Sequence, residues 1–430
     1  MDLCTGRLTA GVRCVSCYSS STTSREVAFL QQGTANSLVL RQVPISPTLK
    51  HKAQAACISS CVSVRCQAAA ASSAEAAAEA APNGRPVMID GGGGGMDTSL
   101  LTPVYLDFLQ KMSFSNSRDS CYPEQLDSVA ARVNEIAGSY LPEKYIKAGA
   151  GFGNLLYSYH SLDLQAKIGH FTAMGLLIDD LTVNLTGPAR KRYLEDMRLF
   201  QMKFTDPEGY ARLYPGRGKL HEVLERFMVY LRTDQNPFFP TQLRLHSLLI
   251  KSMFDLIEGN LLEQHYQEHP VEYSAHMPQF PRFLRYKSGM SEIFAYFVIM
   301  QTSSSGSPSQ DELFFYDRLY PMVPDLIDAI DFVNDVMSLY KELRQGEDSI
   351  AILTHSRIHN LSLLQSLQDR VEAVILCRTR LLALADRPGC DAIKDRIVTF
   401  FQGYMSWHFG IKRYRLDEIL CGWYNGGVWA

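Results

Sequence analysis

The sequence is short of three things: long apolar runs, an excess of either charge, and cysteines at metal-ligand spacing. The longest relevant apolar stretch, Ile293 to Met300, falls well below the roughly eighteen residues that a membrane-spanning helix needs, so no integral membrane segment is expected. Lys and Arg total 42 against 45 Asp and Glu, a net charge of -3, and no block of five or six like charges occurs. Neither nucleic acid nor a charged membrane surface is therefore implied as a partner. Six of the ten cysteines (Cys4, Cys14, Cys17, Cys57, Cys61 and Cys66) lie in the first 66 residues and the other four are scattered, which reads as reduced thiols. No internal repeat of 20 to 50 residues is evident, which excludes a solenoid.

The beginning of the chain has a composition of its own. Residues 1–66 hold sixteen Ser or Thr and seven Lys or Arg but only two acids, Asp2 and Glu26, the bias of an organellar transit peptide or of a disordered leader. If it is a transit peptide, the destination is a plastid or another organelle; otherwise a cytoplasmic location is expected. Residues 67–98 include an Ala/Glu stretch and the run Gly91 to Gly95, a flexible linker that cannot pack a core. One folded domain is expected over 99–430.

Within that domain, apolar residues recur at steps of three and four, as in Leu155, Leu156, Leu162 and Leu164, then Phe171, Met174, Leu177 and Ile178. Alternating strand patterns are scarce. Breakers such as Gly187-Pro188 and Pro237 to Pro240 separate long helical stretches, which predicts an all-α bundle.

Two groups of oxygen-bearing side chains stand out. Asp179-Asp180, in LLIDDLTVN, ends a mostly apolar helix, where carboxylates are costly unless a cation meets them. Magnesium bridging carboxylates to substrate phosphates would be such a cation, although a solvated helix end is the commoner meaning of paired acids. Asn334, Ser338 and Glu342, in NDVMSLYKE, are spaced four and four and share one helical face, where amide, hydroxyl and carboxylate suit a hard divalent ion. Lys341 and the pair Arg413-Tyr414 could bind phosphate oxygens, or could equally be an ordinary solvated face. Phe171, Phe294, Tyr296 and Trp407 read first as core packing.

The order of these pieces resembles the class I terpene synthases: Asp179-Asp180, NDVMSLYKE 155 residues after Asp179, and Arg413-Tyr414 a further 79 on. FDLIEGNLLEQH (Phe254 to His265) and GYMSWHFGIKRYRLDEI narrow the resemblance to the fungal trichodiene synthase-like family, over residues from about 100 to 420. The resemblance implies a single class I terpenoid synthase bundle with an active-site cavity between helices. It implies magnesium as cofactor, in three ions with manganese as a substitute, and a prenyl diphosphate, farnesyl diphosphate above all, cyclised to a sesquiterpene with release of diphosphate. A homodimer is compatible with it.

By the same resemblance Asp179, Asn334, Ser338 and Glu342 would hold metal, with Asp180 as a supporting acid. Arg285, Lys341, Arg413 and Tyr414 would bind the diphosphate. In FLRYKSGM, Arg285 would sense it, Ser288 would link, and the Gly289 backbone would face the allylic carbon. Two departures stand against the pattern: Val183 and Asn184 occupy places where a further carboxylate is usual, and Ser288 stands where Asp often does. The alternatives are a cyclase for the shorter or longer prenyl diphosphates, a chain-elongating synthase, which would need a second Asp-rich motif, and a non-catalytic isoprenoid-binding or scaffold protein.

Overall fold

The computed structural model describes residues 29–32, 38–41, 98–115, 123–232, 243–300, 313–347 and 349–420. The chain divides into two compact units, Met1–Arg85 and Pro86–Ala430. Within the first, β1 (Phe29–Gln32) pairs antiparallel with β2 (Leu38–Arg41), an element the hydroxyl-rich composition gave no reason to expect. Most of the leader and linker, with Cys4 through Cys66, lies outside the described residues. Cys377 and Cys390, which lie within them, are free and buried.

The described part of the second unit contains fourteen α-helices and no strand. They are α1 (Thr102–Lys111), α2 (Pro123–Ala137), α3 (Glu143–Leu156), α4 (Leu162–Asn184), α5 (Gly187–Thr205), α6 (Pro207–Leu213) and α7 (Glu222–Arg232). Then come α8 (Leu243–Glu268), α9 (Phe280–Ser288), α10 (Ser291–Ile299), α11 (Val323–Gln345), α12 (Ala351–His359), α13 (Leu363–Ala385) and α14 (Asp391–Gly410). Local chemistry sets several ends. Ser161 caps α4 by accepting from the Leu164 amide, Ser362 and Gln365 form a reciprocal capping box on α13, and Gly346 closes α11 in the left-handed region.

Helix α10 is apolar nearly all round, and everything in it from Ile293 to Ile299 is buried, as expected of a helix at the bundle centre. On α4, Phe171, Ala173, Met174 and Ile178 are fully buried, so the chain carries Asp179-Asp180 to the end of a core helix. Glycines fix how closely its neighbours approach. A side chain at Gly149 or Gly153 on α3 would collide with the backbone of α4, and one at Gly403 on α14 would collide with the Leu155 carbonyl of α3. Helix α3 is thus pressed between the helix that ends in the acid pair and the helix that leads to Arg413.

Two of the buried histidines, His160 and His170, lie away from the acid pair. His160 bonds the Phe297 carbonyl at 2.8 Å and His170 bonds the Tyr140 hydroxyl at 2.6 Å, and neither Nδ1 has a partner. Burial pushes the pKa of each down to about 4. Because the unfolded chain takes up these protons near pH 6.5 and the folded chain does not, each histidine withdraws stability as pH falls from 6.5 toward 4. Measured as unfolding free energy, wild type should lose about 2 kcal/mol relative to His170→Gln between pH 7.5 and 5. A difference that stays constant over that range would show that His170 is not buried in the neutral form.

Candidate active site

Arg413 and Tyr414 follow the end of α14 in a single 3-10 turn, Lys412–Tyr414, and they reach in two directions. The Arg413 guanidinium lies 2.5 Å from Asp180 Oδ1 and 3.4 Å from Asp179 Oδ2. The Tyr414 hydroxyl lies 3.5 Å from Asn334 Nδ2 on α11. The acid pair on α4 and the oxygen-bearing face of α11 therefore meet across one short turn. Asp180 also accepts from the Tyr145 hydroxyl at 2.7 Å and has Lys144 at 3.6 Å. Burial alone would raise its pKa, but Arg413, Tyr145 and Lys144 outweigh burial and hold it below the usual carboxylate range. Asp179 behaves oppositely: enclosure raises its pKa and Arg413 only partly offsets this, although 40% of its side chain remains accessible.

On α11, Asn334, Ser338 and Glu342 run along one face, as their spacing requires. Ser338 Oγ is buried and makes no hydrogen bond of ordinary geometry, yet it is near enough to Glu342 to favour the carboxylate. Burial nevertheless pushes Glu342 up to about 7, against the opposing charge of Lys341. The Lys341 ammonium sits 3.7 Å from Glu342 and 3.6 Å from Glu347. Among the described residues no three His, Cys, Asp or Glu side chains are grouped closely enough to hold an ion by themselves. The amide, the partnerless hydroxyl and the carboxylate suit a hard cation that also draws oxygens from a bound phosphate.

Arg285 projects from α9 onto the same helix, with Nε 2.8 Å from Asp335 and Nη2 2.9 Å from Asn334 Oδ1. Burial disfavours its charge, but Asp331 and Asp335 outweigh that and hold its pKa above the ordinary range. The chain breaks between α9 and α10 at Gly289 and Met290. Met290 takes the left-handed conformation (φ 55°), while Gly289 has ordinary helical angles. Glycine is needed at 289 for space rather than for angle, because a Cβ there would run into the Asp331 carboxylate. Asp331 is fully buried, takes 2.7 Å contact from Arg282, and accepts from the Ser291 hydroxyl.

Glu263 is not among the candidate site residues named from the sequence. On α8, Gly259 packs so tightly on α9 that a Cβ would sit 2.8 Å from the Ser288 Cα, and Glu263 lies one turn further along the same face. Its carboxyl is near enough to Ser288 for the hydroxyl to favour the ionised form, and it feels Asp179, Arg285 and Glu342. Burial, then the negative charge of Asp179, push it up to about 7. The only available signal was its place in FDLIEGNLLEQH, four residues after a mid-helix glycine. Val183, where a further carboxylate was missed, is 60% exposed, and Asn184 is exposed as well. The aromatic residues divide: Phe152 meets Phe294 at 4.7 Å and Trp407 at 5.1 Å, and Trp407 adjoins Tyr414 at 5.7 Å. Tyr296 instead bonds Glu292 and stacks on Tyr320.

Comparison with known proteins follows the same lines. Residues 213–422 match the family described as Trichodiene synthase (TRI5), a span that includes Arg285 through Tyr414 and begins after the acid pair. An (E)-beta farnesene synthase of Metarhizium brunneum is 24% identical over 336 residues, 75% of this chain and 92% of that protein. Terpene synthase BipA of Cochliobolus sativus is 23% identical over 274 residues, 64% of this chain and 75% of that protein. Trichodiene synthase of Fusarium sporotrichioides is 27% identical over 193 residues, covering 43% and 48%. Among solved structures, linalool/nerolidol synthase from Streptomyces clavuligerus aligns with 66% of this chain and 96% of its own, with a TM-score of 0.44 and 14% identity. The chain is a class I terpene synthase, a lyase acting on a prenyl diphosphate. Over residues 213–422 it is similar to the trichodiene synthase family.

Glu263 gives a stability test with a defined sign. A carboxyl whose pKa is raised by folding costs nothing below pH 4.5 and a growing amount as pH rises through 7. Glu263→Gln should therefore be more stable than wild type by about 2 kcal/mol at pH 8, after allowance for partial exposure, with no gain at pH 4.5. Equal unfolding free energies at pH 8 would place Glu263 in bulk-like solvent.

Proposed function

We propose that this enzyme binds farnesyl diphosphate with magnesium, ionises it and cyclises the cation to a sesquiterpene. The observation that carries the reading is the reach of Arg413-Tyr414 to both the acid pair and Asn334, which makes one anion-binding mouth out of two distant motifs. Similarity to farnesene and trichodiene synthases supports the C15 substrate. Asp179 on one side and Asn334, Ser338 and Glu342 on the other would hold the magnesium, three ions in all with manganese as a substitute, and Asp180 supports through Arg413. When bound, the metal supplies neutralisation of the charge that develops on the leaving diphosphate.

Arg285, Lys341, Arg413 and Tyr414 donate to the diphosphate oxygens as the carbon–oxygen bond breaks and the diphosphate leaves with the electron pair. Ser288 links Arg285 to the break at Gly289, whose backbone faces the allylic carbon. The ring cluster of Phe152, Phe294 and Trp407 offers aromatic faces to the cation and excludes water.

Full-length protein incubated with magnesium and, separately, geranyl, farnesyl or geranylgeranyl diphosphate, with products identified by gas chromatography and mass spectrometry, tests this directly. A cyclic C15 hydrocarbon from farnesyl diphosphate is expected. A linear product would retain ionisation and remove cyclisation, and turnover of only the other two substrates would remove the chain-length assignment. Asn334→Ala and Glu342→Ala should each lower kcat at least a hundredfold; near-normal rates in both would overturn the metal assignment.

A further inference from the structure

An asparagine amide can sit two ways round, and only one of them turns its oxygen toward a cation. We propose that His408 is a positioning residue that sets this choice at Asn334, an inference that rests on the ligand role proposed for Asn334 above. His408 is fully buried on α14, walled by the rings of Tyr404, Trp407 and Tyr414. Its Nδ1 lies 2.7 Å from the Tyr404 carbonyl oxygen, four residues earlier. A carbonyl only accepts, so the ring proton is on Nδ1, and Nε2 of the neutral ring is left as an acceptor.

That acceptor is 3.2 Å from Asn334 Nδ2, so the amide group donates to it and the amide oxygen must face the other way. On that other side Oδ1 accepts from Arg285 Nη2 at 2.9 Å. With the amide reversed, oxygen would oppose the bare Nε2 and NH2 would oppose the guanidinium, two repulsive pairs in an enclosed site. The two holds differ in one respect. Arg285, tied through Nε to Asp335, is also a proposed donor to the diphosphate, whereas His408 has, among the described residues, no hydrogen-bond partner but Asn334 and the Tyr404 carbonyl of its own helix. His408 is the part of the lock that persists while Asn334 holds an ion.

The measurement is the magnesium concentration at half-maximal thermal stabilisation of full-length protein in the presence of inorganic diphosphate, which needs no turnover. His408→Phe, which keeps a ring and removes the acceptor, should raise that midpoint about tenfold. His408→Gln, which can still accept from the amide, should raise it less. Aspartate has two equivalent oxygens and no wrong way round, so in an Asn334→Asp background His408→Phe should change the midpoint less than twofold. An unchanged midpoint in His408→Phe, or an equal change in both backgrounds, overturns the inference. Asn334→Ala separates the two readings: if it too leaves the midpoint unchanged, the ligand assignment fails and this inference fails with it.

Discussion

Acids gathered at one end of a helical bundle repel one another unless positive charge stands between them, and the site is organised around that constraint. Asp180 is met by Arg413 at 2.5 Å and its pKa is held low. Asp331 and Asp335 are met by Arg282 and Arg285. Among the described residues Glu342 is paired with Lys341 alone, 3.7 Å away and shared with Glu347, and Glu263 feels Arg285 without forming an ion pair. These last two are the acids pushed up to about 7. Where the protein supplies too little positive charge, a divalent ion supplies it most effectively, since each one offsets two carboxylates and binding it favours their ionised form.

The helix packing exists to bring these groups together. Glycines at 149, 153 and 403 let α3 lie unusually close to α4 and α14, and those two helices carry the acid pair and lead to Arg413-Tyr414. Gly259 does the same for α8 and α9, setting Glu263 beside Ser288. At the break after α9, Gly289 leaves room for the Asp331 carboxylate, which also fastens Arg282 and Ser291. A single side chain added at any of these places would move a charged group by about the length of a bond, and electrostatic stabilisation is lost at that scale.

Much of this was legible in the sequence because helices advertise themselves. The three and four residue recurrence across Phe171 to Ile178 marks a core helix, and the spacing of Asn334, Ser338 and Glu342 fixes a common face before any coordinates exist. What the sequence conceals is which isolated residues come to lie beside that face. Glu263 is one acid among many on exposed helix surfaces. His408 and Asp331 carry no spacing signal, and their importance comes from partners 74 and 40 residues away. The hairpin of β1 and β2 was hidden for another reason: four-residue strands in a hydroxyl-rich leader are too short to show a period.

The shortened acid motif is a local departure whose surroundings can be described. Counted along the chain, Val183 and Asn184 are a loss, because a carboxylate three or four residues past Asp180 is absent. Both side chains are exposed, whereas Glu263, from another helix, is near enough to feel the negative charges of Asp179 and Glu342. That puts another acid within electrostatic range of the motif, although no three acids among the described residues are grouped closely enough to hold an ion by themselves. A carboxylate that must approach a cation is constrained in position and not in sequence number, so a neighbouring helix can provide it if the backbones come close enough. Gly259 supplies that closeness between α8 and α9, and burial raises the pKa of the acid carried one turn further along.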